Sequence, residues 1–313
     1  MTIKPLGFNP KGIILDDDAV HEPKIFGNVE TWYYDAIFDN NYSMACVVNF
    51  IQFLKIGVIL TGLFIYKDTQ LIRWVRDRTT TTYFNGSRER PYIIIGERKI
   101  IDGEIAQDSK KWTYHIAMGD EKNNVNLCFI KKMDGWKGNH FLGDWLAVPS
   151  LDVQGNIHID GKEIPVTGHG YHDHNNYPLL TPFFNRGANF GKIAAGSINV
   201  VWAQVIRNKN KTENIVMINT AETFQSIQSK DIKLSVEEYV QEHRKIIPTK
   251  YLLQVETQDI DINVQIQSKN YHYITIPTVK YWRHHARNSG EIRFGTQLEK
   301  VNDISIIDQL SFL

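Results

Sequence analysis

The sequence predicts an all-β chain of antiparallel strands, and three observations carry that expectation. Short runs rich in Ile, Val, Thr, Tyr, Phe and Trp recur along its 313 residues, and these residue types suit a pleated, half-buried surface. Gly, Asn and Asp punctuate the runs at hairpin spacing. In Asp259-Ile-Asp-Ile-Asn-Val-Gln-Ile-Gln267 the apolar residues fall at every second position, the period of a strand with one buried face. Many short strands with almost no helix imply barrels or sandwiches.

Taken in order, the expected strands are Thr31 to Phe38, Tyr42 to Phe53, Val58 to Tyr66, Lys111 to Met118, Val125 to Lys131 and Ile198 to Ile206. Beyond residue 210 they continue through Ile215 to Asn219, Tyr251 to Glu256, Asp259 to Ser268, Tyr271 to Ile276 and Ser305 to Phe312. Turns are expected at Asp39-Asn40-Asn41, Asn85-Gly86, Asp102-Gly103, Gln154-Gly155-Asn156 and Asp160-Gly161, because each lies between such runs. The best helical signal is Ser235 to Arg244, where Ser235 precedes two Glu residues in a first turn. Cys46 to Tyr66 has the length of a bilayer-spanning helix. Asn49, Gln52 and Lys55 interrupt it, and Ile56-Gly57 offers a turn, so two strands fit better and no stable membrane insertion is expected.

The length suits two domains. The polar, charged segment from Arg207 to Glu213 suggests a boundary, giving domains over 1–207 and 208–313. Thirty-five basic residues balance thirty-five acidic ones, so no global field steers the chain to nucleic acid or to an anionic membrane. Cys46 and Cys128 are far apart and form no Cys-x-x-Cys pair. The first ten residues lack the apolar run of a signal peptide, from which a cytoplasmic location is expected.

Titratable groups are densest in Gly168-His169-Gly170-Tyr171-His172-Asp173-His174-Asn175. On an extended strand His169, Tyr171 and Asp173 share one face and His172 and His174 the other. Two chemical readings are open. In one, the first set lines an apolar barrel pocket in which Asp173 is kept protonated as a general acid. In the other, His172 and His174 bind a metal, which needs further ligands that no recognised spacing supplies. A third, structural reading has these side chains hydrogen-bonding strand ends. The first is adopted, with no metal and no cofactor. Trp32, Tyr33 and Tyr34 read as a core wall, and Glu30 and Asp35 as partners for Arg283 or Arg287.

The 168–175 segment resembles the signature of the carotenoid 1,2-hydratase-like family, whose relatives include lipocalin-like Diels–Alderases and AttH-type proteins. Glu30-Thr-Trp32-Tyr33-Tyr34-Asp35 is similar to that family's early aromatic strand, and Tyr281-Trp-Arg-His-His-Ala-Arg287, followed by Gly290 and Gly295, to its C-terminal strand pair. The resemblance implies two tandem lipocalin-like antiparallel β-barrels with a hydrophobic ligand site. It implies cofactor-independent hydratase-, lyase- or cyclase-like chemistry on an isoprenoid or polyene-like molecule, or alternatively a non-catalytic carrier of such ligands. The family's Tyr-x-Asp pair falls on Tyr171 and Asp173, with His169 as a proton acceptor. Its His-x-Trp pair falls on Trp145, but the position two before is Gly143. Trp145, His172, His174, Asn175, Trp32 and Tyr34 are the expected substrate-binding residues.

Overall fold

Strand makes up 76% of the chain and helix 5%, in two antiparallel sheets, a nearly closed barrel and a half-barrel, which is the tandem lipocalin-like arrangement. The computed structural model describes residues 8–21, 27–54, 56–107, 111–140, 142–208, 211–221, 223–276 and 279–312. Lys55 and residues 1–7 of the N-terminal reading lie outside the described residues. The chain divides into a unit over Pro10–Leu180 and a unit over Thr181–Leu313 that also takes in Met1–Asn9. The expected boundary at 207/208 therefore moves to 180/181. Its physical reason is pairing: Gly187–Ala195 joins Gln297–Phe312, and Ile198–Asn208 joins Gly187–Ala195, so both belong to the second sheet.

In the first unit a meander of four strands, Asn28–Phe38, Tyr42–Phe53, Ile56–Lys67 and Gln70–Thr80, runs outward from the first of them. Asn28–Phe38 pairs on its other side with Lys162–Pro178, the last strand of the unit. From there the order continues through Asp144–Ile159, Asn124–Lys131, Trp112–Gly119, Arg98–Ile105, Tyr92–Ile95 and Phe84–Gly86. The second unit repeats this order: the meander Gly187–Ala195, Ile198–Asn208, Lys211–Asn219, Phe224–Ile227 has its first strand paired with the last, Gln297–Phe312.

Alternation decides what fills each interior. In the first unit Trp32, Tyr34, Ala36 and Phe38 face inward with Met44, Cys46, Val48, Ile59, Leu63 and Tyr114. The stretch Cys46 to Tyr66 is thus two strands of one hairpin. Among the described residues no helix is long and apolar enough to cross a membrane.

Three expected turns are strand interior instead. Asn85-Gly86, Asp102-Gly103 and Gly155 lie within Phe84–Gly86, Arg98–Ile105 and Asp144–Ile159. At Gly155 (φ +145°) a Cβ would strike the backbone of Asn126, so this glycine marks a close approach of strands. Asp39-Asn40-Asn41 and Asp160-Gly161 do turn, with Asn41 and Asp160 in the left-handed region. The expected helix at Ser235 to Arg244 is the strand Ile232–Glu242 and its turn, paired to Lys245–Glu256. An edge strand with one exposed face needs no apolar stripe, so its polarity resembled a helix start.

Candidate active site

The two faces of Lys162–Pro178 carry two different clusters. Register sets His172 opposite Tyr34 and His174 opposite Trp32, and directly opposed residues share a face. Trp32 and Tyr34 belong to the barrel core, so His172 and His174 point into the barrel. Tyr171 and Asp173, opposite Asp35 and Tyr33, point away from its interior and are nonetheless buried. The expectation that they line the barrel pocket is corrected accordingly.

Inside, the 3₁₀ turn Leu15–Asp18 delivers Asp18, fully buried. Its Oδ2 lies 2.9 Å from His172 Nε2 and accepts from the Tyr114 hydroxyl at 2.8 Å. Its Oδ1 contacts His174 Nδ1 at 3.1 Å. The Trp32 indole N–H donates to the Asp18 carbonyl at 3.2 Å. His174 Nε2 donates to Glu30 Oε1 at 2.9 Å, and the same oxygen accepts from His21 Nδ1 at 2.7 Å. His172 stacks on Tyr34 with centroids 4.0 Å apart, and His174 on Trp32 at 4.4 Å.

Proton counting follows from these contacts. His174 has a carboxylate at each ring nitrogen. Burial opposes its charge, but hydrogen bonds and attraction from Asp18 and Glu30 outweigh burial and lift it to about 9. Burial likewise would raise Asp18, and His172 with His174 hold it well below the usual carboxylate range. Glu30 is lowered in the same way by His174 and His21. His172 Nδ1 lies 2.9 Å from the Tyr33 carbonyl, which only accepts, so Nδ1 is the donor of that contact and Nε2 faces Asp18. A carboxylate at each ring nitrogen of His174 is the kind of pairing under which a buried ionic cluster is tolerated.

His21, Glu30 and His174 are metal-ligating types gathered within 4.8 Å. Donors on one tetrahedral zinc stand about 3.3 Å apart, from zinc–nitrogen distances near 2.0 Å. The 2.7 and 2.9 Å contacts here both fall on a single oxygen, a spacing that suits protons better. Glu30 is thus a partner of histidines, in place of the expected Arg283 or Arg287. In the second unit Arg283 Nε donates to Asp308 Oδ1 at 2.8 Å, and Arg287 donates to Asn302 at 2.7 Å.

On the opposite face the Tyr171 hydroxyl donates to Asp173 Oδ2 at 3.0 Å and the Asn175 amide donates to Oδ1 at 2.8 Å. Burial, then the nearby Asp173, pushes the Tyr171 phenol far above its ordinary range, and the Trp145 indole lies beside its hydroxyl. Trp145 packs edge-on to Trp136 at 4.8 Å and to His140 at 5.5 Å. Sequence reasoning weighs His140 only by residue type, as a further metal ligand, and does not place it beside this indole. Backbone bonds between His140 and Gly143 close a tight loop, with Gly143 at φ +152°, and return His140 to the indole. Its Nδ1 accepts from the Leu142 N–H at 3.2 Å, and burial lowers it to about 4, so it is a neutral imidazole with Nε2–H. His169, expected as proton acceptor, is exposed and stands apart from this cluster.

The inner network makes stability depend on pH. Asp18 and Glu30, being lowered, contribute above the unfolded carboxylate range, and that contribution is lost as acid is added. His174, being raised, contributes fully below its unfolded value of 6.5 and loses that contribution as pH rises toward about 9. Thermal melts are expected to show a decline from pH 6.5 to 9 worth roughly 3 kcal/mol. The decline should be absent in His174→Gln; an equal slope in both proteins would contradict the assignment.

No family model matches the sequence and no curated protein matches it. Solved structures do. A protein described as an AttH from Nitrosomonas europaea aligns with TM-score 0.62 at 12% identity, covering 94% of this chain and 97% of that one. Kievitone hydratase from Nectria haematococca aligns at 0.60 and 7%, covering 98% of each. CghA aligns at 0.62 and 10%, covering 95% and 94%. The fold is that of the lipocalin-like hydratase and AttH group that the sequence signature resembles.

Proposed function

We propose that the chain is a cofactor-independent enzyme of the hydratase or cyclase type, acting on a hydrophobic isoprenoid or polyene-like small molecule. The observation that carries this reading is the buried Tyr171–Asp173 pair, 3.0 Å apart, beside Trp145. That a protein of the same fold is a hydratase supports it. Asp173 would be the general acid, protonating an alkene to a carbocation, and the faces of Tyr171 and Trp145 would stabilise that charge by about 0.5–2 kcal/mol each. In the resting chain Asp173 accepts from the Tyr171 hydroxyl and the Asn175 amide, and exclusion of water by an apolar substrate favours its neutral, proton-donating form. Tyr171, whose phenol is hard to ionise, acts as a hydrogen-bond partner and aromatic face. His140 would orient the attacking water by donating Nε2–H to its oxygen, and the Asp173 carboxylate left by protonation of the alkene would take the proton that the water loses, restoring the acid.

A second reading, a binder of amphipathic ligands, draws on a cavity of about 270 Å³ in the first unit lined by Ile59, Leu63 and Met118 together with Arg76, Asp77, Arg98 and Asp120. Incubation of the full chain with prenyl alcohols and polyenes in ¹⁸O-labelled water separates the readings. A product gaining one labelled water marks a hydratase, and an isomer of unchanged mass a cyclase. Unaltered ligand co-purifying with the protein supports the binder and removes the enzymatic proposal.

A further inference from the structure

The hairpin Tyr42–Phe53 with Ile56–Lys67 is apolar on both faces, although a barrel wall needs only one. The inward face holds Met44, Cys46, Val48, Ile59 and Leu63. The outward face carries Val47, Ile51, Val58 and Leu60, half-buried, and ends at a tip where Phe53, Leu54 and Ile56 are 53%, 64% and 79% exposed. Leu54 adopts φ +54°, a left-handed conformation that elsewhere among the described non-glycine residues of the first unit falls to Asn41, Asp68, Thr69 and Asp160. Asparagine or aspartate suits such a turn and leucine does not. A strained, exposed leucine at a hairpin tip therefore marks a side chain with a use outside the fold.

Charge tells what meets it. Neither strand of the hairpin contains an Asp or Glu. On the neighbouring edge strand, Trp74, Arg76 and Arg78 lie opposite Phe64, Gly62 and Leu60 and so share the outward face. Arg76 sits over the Trp74 ring at 5.1 Å, and Trp74 stacks on Phe64 at 5.4 Å. Among the described residues neither Arg76 nor Arg78 has a carboxylate partner. An apolar tip followed along the same face by Arg78, then Arg76, then Trp74 is the chemistry of an anionic lipid surface.

We infer that the first unit docks on anionic membranes through the Phe53–Leu54–Ile56 tip, with Arg76 and Arg78 on the lipid headgroups. The docking is peripheral and stands apart from the reaction proposed above. Should that reaction hold, the same outward face leads from the tip through Val47 to Tyr33 and Asp173, which register places side by side. An apolar substrate dissolved in the bilayer would enter along it.

Flotation of the full chain with phosphatidylcholine vesicles, with and without phosphatidylserine, tests the docking. Wild type is expected to float with the anionic vesicles and to be released by salt. Leu54→Asn/Ile56→Ser should cut partitioning by at least about tenfold, from the lost apolar burial, with an unchanged or higher Tm because asparagine suits the turn. Arg76→Gln/Arg78→Gln should remove the preference for phosphatidylserine, roughly fivefold per charge, at unchanged fold. Absence of flotation, or flotation indifferent to both variants, overturns the inference. So does salt-independent self-association that the tip substitutions abolish, which would assign the surface to a second copy of the chain.

Discussion

Asp173→Asn is expected to lower turnover by about 100- to 10,000-fold, the usual contribution of a general acid, while the protein folds as before. Asparagine fits because only one hydrogen-bond direction must change. Its oxygen still accepts from the Asn175 amide, and its NH₂ can donate to the Tyr171 hydroxyl, which accepts as readily as it donates. The shape is kept and the transferable proton is lost. Tyr171→Phe removes one hydroxyl and keeps the aromatic face, so its effect should be smaller. If Asp173 only ties strands together, the asparagine variant will instead melt earlier, with near-normal activity per folded molecule. Tm and turnover measured on the same preparation decide between the two.

The inner network predicts the largest stability effect. Glu30→Leu leaves His174 as a buried cation with one partner fewer, and breaking such a pair costs about 3–5 kcal/mol. For a unit of this size that is a Tm fall of roughly 6–20 °C. Glu30→Leu/His174→Leu removes both charges and leaves Asp18 with its contacts to His172 and Tyr114. The double variant should therefore recover much of the loss. Denaturant unfolding of the two single variants and the double gives the coupling. A double variant as unstable as the sum of the singles would show that the pairing drawn here is wrong.

The strands were legible because alternation and turn residues are local signals, and the two-face reading of the 168–175 segment needed only strand geometry. Which face looks into the barrel was not local. It depends on the partner strand, where Trp32 and Tyr34 outcompete Tyr33 for the interior. Asp18 was hidden for a related reason: nothing local in Leu15-Asp-Asp-Asp18 marks which of three successive acids meets a histidine some 150 residues away in sequence. His140 was not placed at Trp145 because a fixed His-x-Trp spacing was sought, and a loop closed on Gly143 reaches the same indole from five residues upstream. Glu30 was misassigned to an arginine because opposite formal charge is visible in sequence, whereas a histidine lifted to about 9 is a product of the fold.

The pairing of the first meander strand with the last strand of its unit has a consequence for synthesis. Asn28–Phe38 leaves the ribosome early, and its partner Lys162–Pro178 only after most of the unit has been made. Until then the barrel has no keystone, the buried network lacks His172 and His174, and Asn28–Phe38 waits with an open edge beside the doubly apolar hairpin. Long-range pairing of this kind is slow to form and prone to association. A nascent chain halted before residue 162 should be bound by chaperones and cut readily by protease, and one extended beyond 180 should become resistant in a single step.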